Sequence, residues 1–468
     1  MKQLFDPIDE SAQIDIKSEF GLKQLRETDY SIESGRGINV NKFISDLKKC
    51  VAMINYANPI FVVKDYDSVK DSSKLSILDL REFKQLMSTI NIGKYYKNNK
   101  WKNATAYDIY NEGKNKNHIS FDGMRFYDSR PNIYSFYTGF DNDVLDECDE
   151  QMIKPYLDHI REIIADGDEK IYQYIINWLS FIIQNPDAKT GVALVITGDQ
   201  GTGKNVFTNQ ICKLLSRYAN PNLTNIDSIV GKFNTSLENM KLIVCNELNS
   251  ADTNKYLNSD SLKSVITESE IQINAKNVKP RQCQNVVNLI MLSNNQAPVK
   301  IESNDRRYLV VKTSNKHRQD TDYFDKLCKS FNKSFYDNLL TYFVKNDISQ
   351  FNPRIIPLTD AKKLIQEQSR PSYELFIQDY NEQFVEGIER SVAYNYYKTW
   401  ADDNGFVKAN VKTFKGNIIS FVVEKQISRD GRRPHVYLLK NEYYSQFGLN
   451  ADGKSIDRDE LDESNEPI

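Results

Sequence analysis

The residues with the clearest chemical purpose lie in the run G-V-A-L-V-I-T-G-D-Q-G-T-G-K-N-V-F-T, from Gly191 to Thr208. Val192 to Ile196 is apolar and β-branched, which predicts a buried strand, and helix-compatible sequence follows the glycine-rich turn. Gly198-x-x-Gly201-x-Gly203-Lys204 between strand and helix is the spacing of a phosphate-binding loop, or P-loop. Its backbone N–H groups curl round phosphates, Lys204 reaches the β and γ oxygens, and the helix N-terminus adds a positive dipole. The expected nucleotide contacts are Gly198, Asp199, Gln200, Gly201, Thr202, Gly203, Lys204, Asn205 and Val206, with ATP and Mg²⁺ as ligands. Asn205 stands where a Ser or Thr hydroxyl usually meets Mg²⁺, and its amide oxygen can ligate the ion or hold one of its waters. The bland alternative, a turn that only reverses the chain, does not explain why the loop joins a clean strand to a helix.

ATP hydrolysis also needs a group that activates water and groups that sense the γ-phosphate. About forty residues further on, Leu242 to Cys245 predicts a second buried strand that delivers Asn246 and Glu247 to its end. Glu247 is the candidate base, and Asn246 takes the place of the aspartate that usually contacts the Mg²⁺ shell, so Asn205, Asn246 and Glu247 form the candidate metal set. A third strand, Leu289 to Leu292, ends in Ser293-Asn294-Asn295, where Asn294 can hold the attacking water. In Ser303-Asn304-Asp305-Arg306-Arg307, either arginine can stabilise charge on a transferring phosphoryl group, often from a neighbouring subunit. Taken alone, an Asp-Arg-Arg run is more often a surface ion pair.

These groups need a scaffold in which strands alternate with helices, the pattern of a doubly wound parallel sheet with ligands at the carboxyl ends of its strands. With 468 residues, 40% hydrophobic and 27% charged, the chain has the composition of an ordinary soluble globular protein of several domains. A net charge of −3 excludes global attraction to nucleic acid and leaves that task to local basic patches. Six scattered cysteines and four histidines argue against a zinc or disulfide framework. No signal peptide or membrane-length apolar run is visible, so an intracellular, cytoplasmic protein is expected in its host cell.

Along the chain, residues 1 to about 35 read as a polar arm, and 1–140 as an N-terminal α/β accessory region. Within it the aromatic stretch Trp101 to Phe140 reads as irregular core packing in preference to base stacking. A helical stretch from Asp143 to Gln184, broken near Gly167, leads into the ATPase region, 141–365. Its second half shows one apolar face: Ile171, Tyr174, Ile175, Trp178, Leu179 and Ile182. Between the second and third strands, Ile271 and Ile273 alternate with polar residues, Asn277 marks a turn, and Lys276, Lys279 and Arg281 cluster round it as a basic hairpin. In 366–450 come a helix Ser391 to Asp402, a basic helical stretch Lys408 to Ile419, and a hairpin from Ile418–Gln426 to His435–Leu439 closing on Arg429-Asp430-Gly431-Arg432-Arg433. The acidic tail 451–468 is expected to be disordered.

The P-loop with Asn205, the strand ending Asn246-Glu247, the strand ending Ser293-Asn294 and Asp305-Arg306-Arg307-Tyr308, in this order and spacing, resemble the superfamily 3 helicases. Within that superfamily the resemblance is to the helicase part of phage and large-virus primase-helicases of the poxvirus type, and it spans about Trp101 to Leu449. It implies an AAA+ P-loop ATPase with a parallel sheet and a C-terminal winged-helix domain, and a homo-hexameric ring moving 3′ to 5′ on single-stranded DNA at a fork. By matching position, Lys204 binds phosphate, Glu247 is the catalytic carboxylate, Asn294 the polar sensor, and Arg306 or Arg307 the finger acting in trans. The basic hairpin would point into the ring channel, and Lys408, Lys412 and Lys415 with Arg429, Arg432 and Arg433 would meet DNA on a recognition helix and wing. No cluster of paired carboxylates and histidine that would make a primase precedes the P-loop, so a separate primase or polymerase is the expected partner. The competing reading is an initiator that uses ATP to assemble at an origin without processive unwinding. A packaging motor would fit the P-loop but not the remaining motifs.

Overall fold

The computed structural model describes residues 14, 18–32, 37–67, 72–97, 99–111, 119–246, 259–276, 279–302, 304–429 and 431–454. Glu247, Asp430 and residues 455–468 of the acidic tail lie outside the described residues. The chain divides into two compact units, 1–365 and 366–468.

In the first unit, helices α1 (Leu22–Glu27) and α2 (Val40–Lys48) precede strands β1 (Val51–Ile54), β2 (Ile60–Asp67) and β3 (Ser72–Asp79) and helix α3 (Leu80–Ser88). Antiparallel β3-β2-β1 is extended by a parallel strand β4 (Ser120–Phe121). The stretch expected to be a polar arm is folded from its second half onward. Leu22 and Leu25 sit three residues apart on one face of α1 and enter a core with Tyr30, Phe43, Phe61 and Phe83, where Phe61 and Phe83 stack at 3.8 Å.

The central layer begins with α4 (Glu150–His159), a π-helical turn over Ile160–Ile164, and α5 (Glu169–Gln184). The helix does not start at Asp143 as expected. Residues 143 to 149 run irregularly, because side chains take up their backbone donors: Asp337 for Asp143, Thr341 for Leu145 and Asn338 for Asp149. Burial on α5 exceeds one face and includes Tyr172, Ile176 and Ile183, since the helix is enclosed between the sheet and a later helix.

Strands β5 (Ala193–Thr197), β6 (Ala219–Leu223), β7 (Leu242–Cys245), β10 (Asn288–Ser293) and β11 (Tyr308–Lys312) form one parallel sheet in the order β6-β7-β10-β5-β11. Helix α6 (Lys204–Leu215) follows β5; α7 (Ser259–Thr267) and the antiparallel hairpin of β8 (Glu270–Ile273) and β9 (Arg281–Gln284) stand between β7 and β10. Every residue of β5, β7 and β10 is buried, as a sheet covered on both faces requires. Leu194 and Ile196 enter one core and Ala193 and Val195 the other, following the two-residue period of a strand. Phe126, Tyr137 and Phe140 join the first of these cores with Tyr218, so the later part of the aromatic stretch is packing, whereas Trp101 is exposed. After β11 come α8 (Thr321–Lys329) and α9 (Lys333–Lys345), the helix against which Gln184 of α5 is bonded at Phe343 O, 2.7 Å.

The second unit contains α10 (Ser372–Asp379), β12 (Ile388–Glu389), α11 (Arg390–Asp403), α12 (Val411–Ile418), β13 (Val422–Gln426) and β14 (His435–Leu439), with antiparallel sheet order β12-β14-β13. Phe376 touches Tyr397, Trp400 and Phe414 at the centre of its core. Asn410 caps α12 through Thr413 N, so the basic helix starts at Val411 and not at Lys408. Ile418 ends that helix, buried, and the hairpin strand begins only at Val422.

Candidate nucleotide site

The P-loop leaves the carboxyl end of β5 with Gly198, Gly201 and Gly203 at φ of 143°, 83° and 89°. Two of these are also sites of close approach. A Cβ at Gly198 would stand 2.0 Å from Thr313 Oγ1, and one at Gly203 would stand 2.6 Å from the His159 ring. Gly203 is the N-cap of α6 and gives it no side-chain cap, so the first backbone donors of the helix face the loop. Lys204 Nζ donates to Gly198 O (2.7 Å) and Asp199 O (2.8 Å), and burial pulls its pKa below the usual lysine range. Thr313 is bonded to Thr202 (3.0 Å), whose hydroxyl donates to Asp199 O (3.0 Å).

Behind the loop, His159 is wholly buried, with Nε2 3.2 Å from Gly203 O and Nδ1 3.0 Å from the Tyr323 hydroxyl. A carbonyl only accepts, so Nε2 carries the proton, and neutral Nδ1 accepts from Tyr323. Burial first, and repulsion from His317 in smaller part, push the His159 pKa down to about 4. His317 stacks on Tyr323 at 3.8 Å, and Arg318 and Asn315 bond Asp199 at 2.8 and 3.1 Å. None of Thr313, His159, Tyr323, His317, Arg318 and Asn315 stands out in the sequence. They come from the end of α4 and from the segment after β11, and only the fold brings them to the loop.

The loop opens on a cleft of about 830 Å³, lined by Gln200 to Val206, by Asn222, Thr224, Asn246, Ser293 and Asn294, and by Gln319, Thr321, Phe324 and Asp325. Gly198 and Asp199, also expected to touch nucleotide, do not line this cleft and are joined to it through Lys204, whose ammonium is bound to their carbonyls. Strand register explains the gathering: Ser293 pairs with Thr197, which sets Asn294 beside Gly198, and Asn246 continues β7 one strand further out. Lys204, Asn205, Asn246 and Asn294 are thus assembled in one cleft. Asn246 Oδ1 is buried and has no hydrogen-bond partner among the described residues, while Asn246 Nδ2 donates to Asn222 Oδ1 (2.8 Å) and Pro221 O (3.3 Å). Neutral oxygen donors suit Mg²⁺, which takes few protein ligands and keeps waters and phosphate oxygens. Among the described residues no group of three or more His, Cys, Asp or Glu side chains comes together to hold a metal ion.

Arg306 and Arg307 are not in this cleft. They precede β11, whose Tyr308 pairs with Ala193 at the start of β5, whereas the P-loop follows Thr197 at its other end. Five residues of strand separate the two places, about 17 Å. Arg307 is tied to Asp305 through its backbone N–H (2.7 Å) and its guanidinium (3.2 Å), and Arg306 is exposed.

The cations expected to meet DNA divide into free and engaged groups. Lys276 and Lys279 are exposed at the end of the β8–β9 hairpin. Arg281 is not free: its guanidinium is half-buried against Glu238, with two bonds to the carboxylate, one of 2.9 Å. Lys415 is 3.3 Å from Glu424, Arg429 donates to Glu386 O (2.6 Å), and Lys408 pairs with Asp402 (2.5 Å). Lys412, Arg432 and Arg433 are exposed and have no ion pair among the described residues.

A model of a family of unknown function, DUF5906, matches residues 196–307, from the P-loop strand to the Asp305-Arg306-Arg307 run. The DNA primase-polymerase of Nitratiruptor phage NrS-1 is 39% identical over 156 residues, 32% of this chain and 21% of that protein's length. The chain is related to a phage DNA replication protein. Two apo structures of the NrS-1 C-terminal region superpose with TM-scores of 0.58 and 0.57, at 20% identity over 84% of this chain and 97% and 98% of theirs. At that identity the likeness is one of fold. No described helix is long and apolar enough to cross a membrane.

Proposed function

We propose that the chain is an ATP-hydrolysing DNA helicase of a phage or mobile element, an AAA+ P-loop motor of superfamily 3 type. The observation that carries this reading is the strand order β6-β7-β10-β5-β11. One strand, followed by Asn294, is inserted between the P-loop strand and the strand followed by Asn246, so polar groups from two strands stand beside the loop where a γ-phosphate would lie in this reading. A sheet that placed β7 directly beside β5 would leave no room for a sensor between phosphate and base.

In this reading Lys204 and the N-terminus of α6 hold the β and γ phosphates of ATP, Asn205 and Asn246 face its Mg²⁺, and Asn294 holds the attacking water. Glu247, the residue after Asn246, removes the proton from that water. Mg²⁺ when bound neutralises charge on the β and γ oxygens. Arg307 or Arg306, at the far end of the strand, serves the cleft of a neighbouring copy in a hexameric ring. Lys276 and Lys279 grip the translocating strand, and residues 366–450 act as a winged helix on fork DNA, with primer synthesis left to a separate primase or polymerase. The similarity to a phage DNA primase-polymerase supports the replication context. The test is ATPase and fork unwinding by the parent, Lys204→Ala and Glu247→Gln. Hydrolysis stimulated by any single strand, lost in Lys204→Ala, with Glu247→Gln binding ATP but not turning it over, is the expected result. Stimulation by one duplex sequence only, without unwinding, would make the chain an initiator instead.

A further inference from the structure

An amide in place of a carboxylate at a metal site creates a problem that a carboxylate does not have. Either oxygen of an aspartate can face a cation, whereas an asparagine turned over presents its NH₂. Asn246 therefore needs something to fix which way it points, and the structure supplies it on the neighbouring strand. The pairing of β6 with β7 shifts register between Asn220 and Leu223, and this irregularity sets Pro221 and Asn222 against the Asn246 side chain. Pro221 O is a backbone acceptor 3.3 Å from Asn246 Nδ2, so a flipped Asn246 would oppose oxygen to oxygen. Asn222 Oδ1, at 2.8 Å, accepts the second N–H, and the Asn222 backbone is itself held by Asn220 Oδ1 at 3.3 Å. Both donors of Asn246 are thereby committed, and its oxygen is left buried with no partner among the described residues, in a residue that lines the cleft. A buried acceptor without a donor is rare in a folded chain and marks a place where a ligand completes the structure.

We propose that Asn222 is a positioning residue that locks the Asn246 amide with its oxygen toward the hydrated Mg²⁺ of bound nucleotide. The inference rests on the reading of the cleft as a MgATP site. Its test is titration of a non-hydrolysable ATP analogue into the parent, Asn222→Ala and Asn222→Asp, each in EDTA and across a series of Mg²⁺ concentrations. Asn222→Asp keeps an acceptor at the same place and serves as the conservative rescue. In Asn222→Ala the Mg²⁺ concentration that half-saturates the effect on nucleotide affinity should rise on the order of tenfold, the usual scale for loss of an outer-shell partner. For Asn222→Ala the affinity in EDTA should not move, and Asn222→Asp, which keeps the acceptor and adds a negative charge near the cation, should need no more Mg²⁺ than the parent. An unchanged Mg²⁺ dependence in Asn222→Ala would overturn the proposal, and so would an equal loss of affinity with and without Mg²⁺, which a merely structural role produces. A parent that binds no nucleotide under either condition would refute the MgATP reading itself, a result distinct from both.

Discussion

In and around the candidate nucleotide cleft, polar groups are fixed by more than one neighbour: Lys204 by two carbonyls, Asp199 by Arg318 and Asn315, His159 by Gly203 and Tyr323. In residues 366–468 the cations Lys412, Arg432 and Arg433 stand exposed on a helix and a hairpin whose common core is aromatic. The contrast matches two chemistries. Stabilising a transferring phosphoryl group requires donors at set positions, and their value comes from not having to reorganise. Neutralising a DNA backbone requires only charge near phosphate, and its energy comes from released counterions. Substitutions in the first region should therefore change rates steeply, and those in the second should change affinity in small, salt-dependent steps.

The largest effect should come from Arg307. Within its own chain it lies at the amino end of β11, away from the P-loop, so under the proposed function it would have to reach phosphate across a subunit boundary. Arg307→Ala should lower ATP turnover on the order of a thousandfold and leave nucleotide binding intact. Mixed with inactive Lys204→Ala, it should regain part of the hydrolysis, because some interfaces then pair an intact loop with an intact arginine. Co-assembled rings with no recovery at any ratio would deny the trans role, and the same pattern from Arg306→Ala alone would shift it by one residue.

Lys276→Ala with Lys279→Ala should come next, with unwinding and DNA-stimulated hydrolysis lost and basal hydrolysis kept. Two lost phosphate contacts on a single strand should flatten the slope of log affinity against log salt by about 1.4. Arg281→Ala should leave that slope alone, since its charge is already met by Glu238. If the double variant unwinds forks at the parent rate, the hairpin has no part in the mechanism.

A third test concerns the rigidity of the cleft. The His159 pKa is about 4 in the folded protein against 6.5 for an ordinary histidine, so the folded state resists taking up a proton that the unfolded chain accepts. The stability this gives is complete above pH 6.5 and is lost as the pH falls toward 4. By pH 5 the loss should amount to about 2 kcal/mol. His159→Gln, which does not titrate, should melt with less dependence on pH between 6.5 and 5 than the parent does. Equal slopes would mean that another group carries the acid sensitivity.

What the sequence made legible follows the same divide. Strand, loop and helix around Lys204 are local, because glycine conformation and β-branched runs are properties of a few adjacent residues. Asn246 and Asn294 were readable because parallel strands must deliver their carboxyl ends to one edge of the sheet. Asn222, Thr313 and His159 were not, since their contacts are set by strand register or by a helix end. Leu22 and Leu25 were lost for another reason: two apolar residues in a polar segment carry too little periodicity to announce a helix. Free and engaged cations look alike in sequence, as Arg281 and Lys279 show.

That last distinction gives the smallest effect and the finest test. Lys412, Arg432 and Arg433 replaced together by Ala should weaken duplex or fork binding and lower the salt slope by up to about 2.7, at 0.9 per phosphate contact. Lys415→Ala with Arg429→Ala removes as much charge per residue, yet these side chains are held by Glu424 and the Glu386 carbonyl and must leave those partners to reach a phosphate. Exposed pairs of this kind are weak, so the partners would be released at small cost, but the slope change per residue should still fall below that of the free cations. Basal ATPase should be untouched in both variants. Were the engaged pair to matter more than the free triple at one fixed salt concentration, DNA would lie along the Glu424 side of the hairpin, and Glu424→Gln, by freeing Lys415, would then tighten binding.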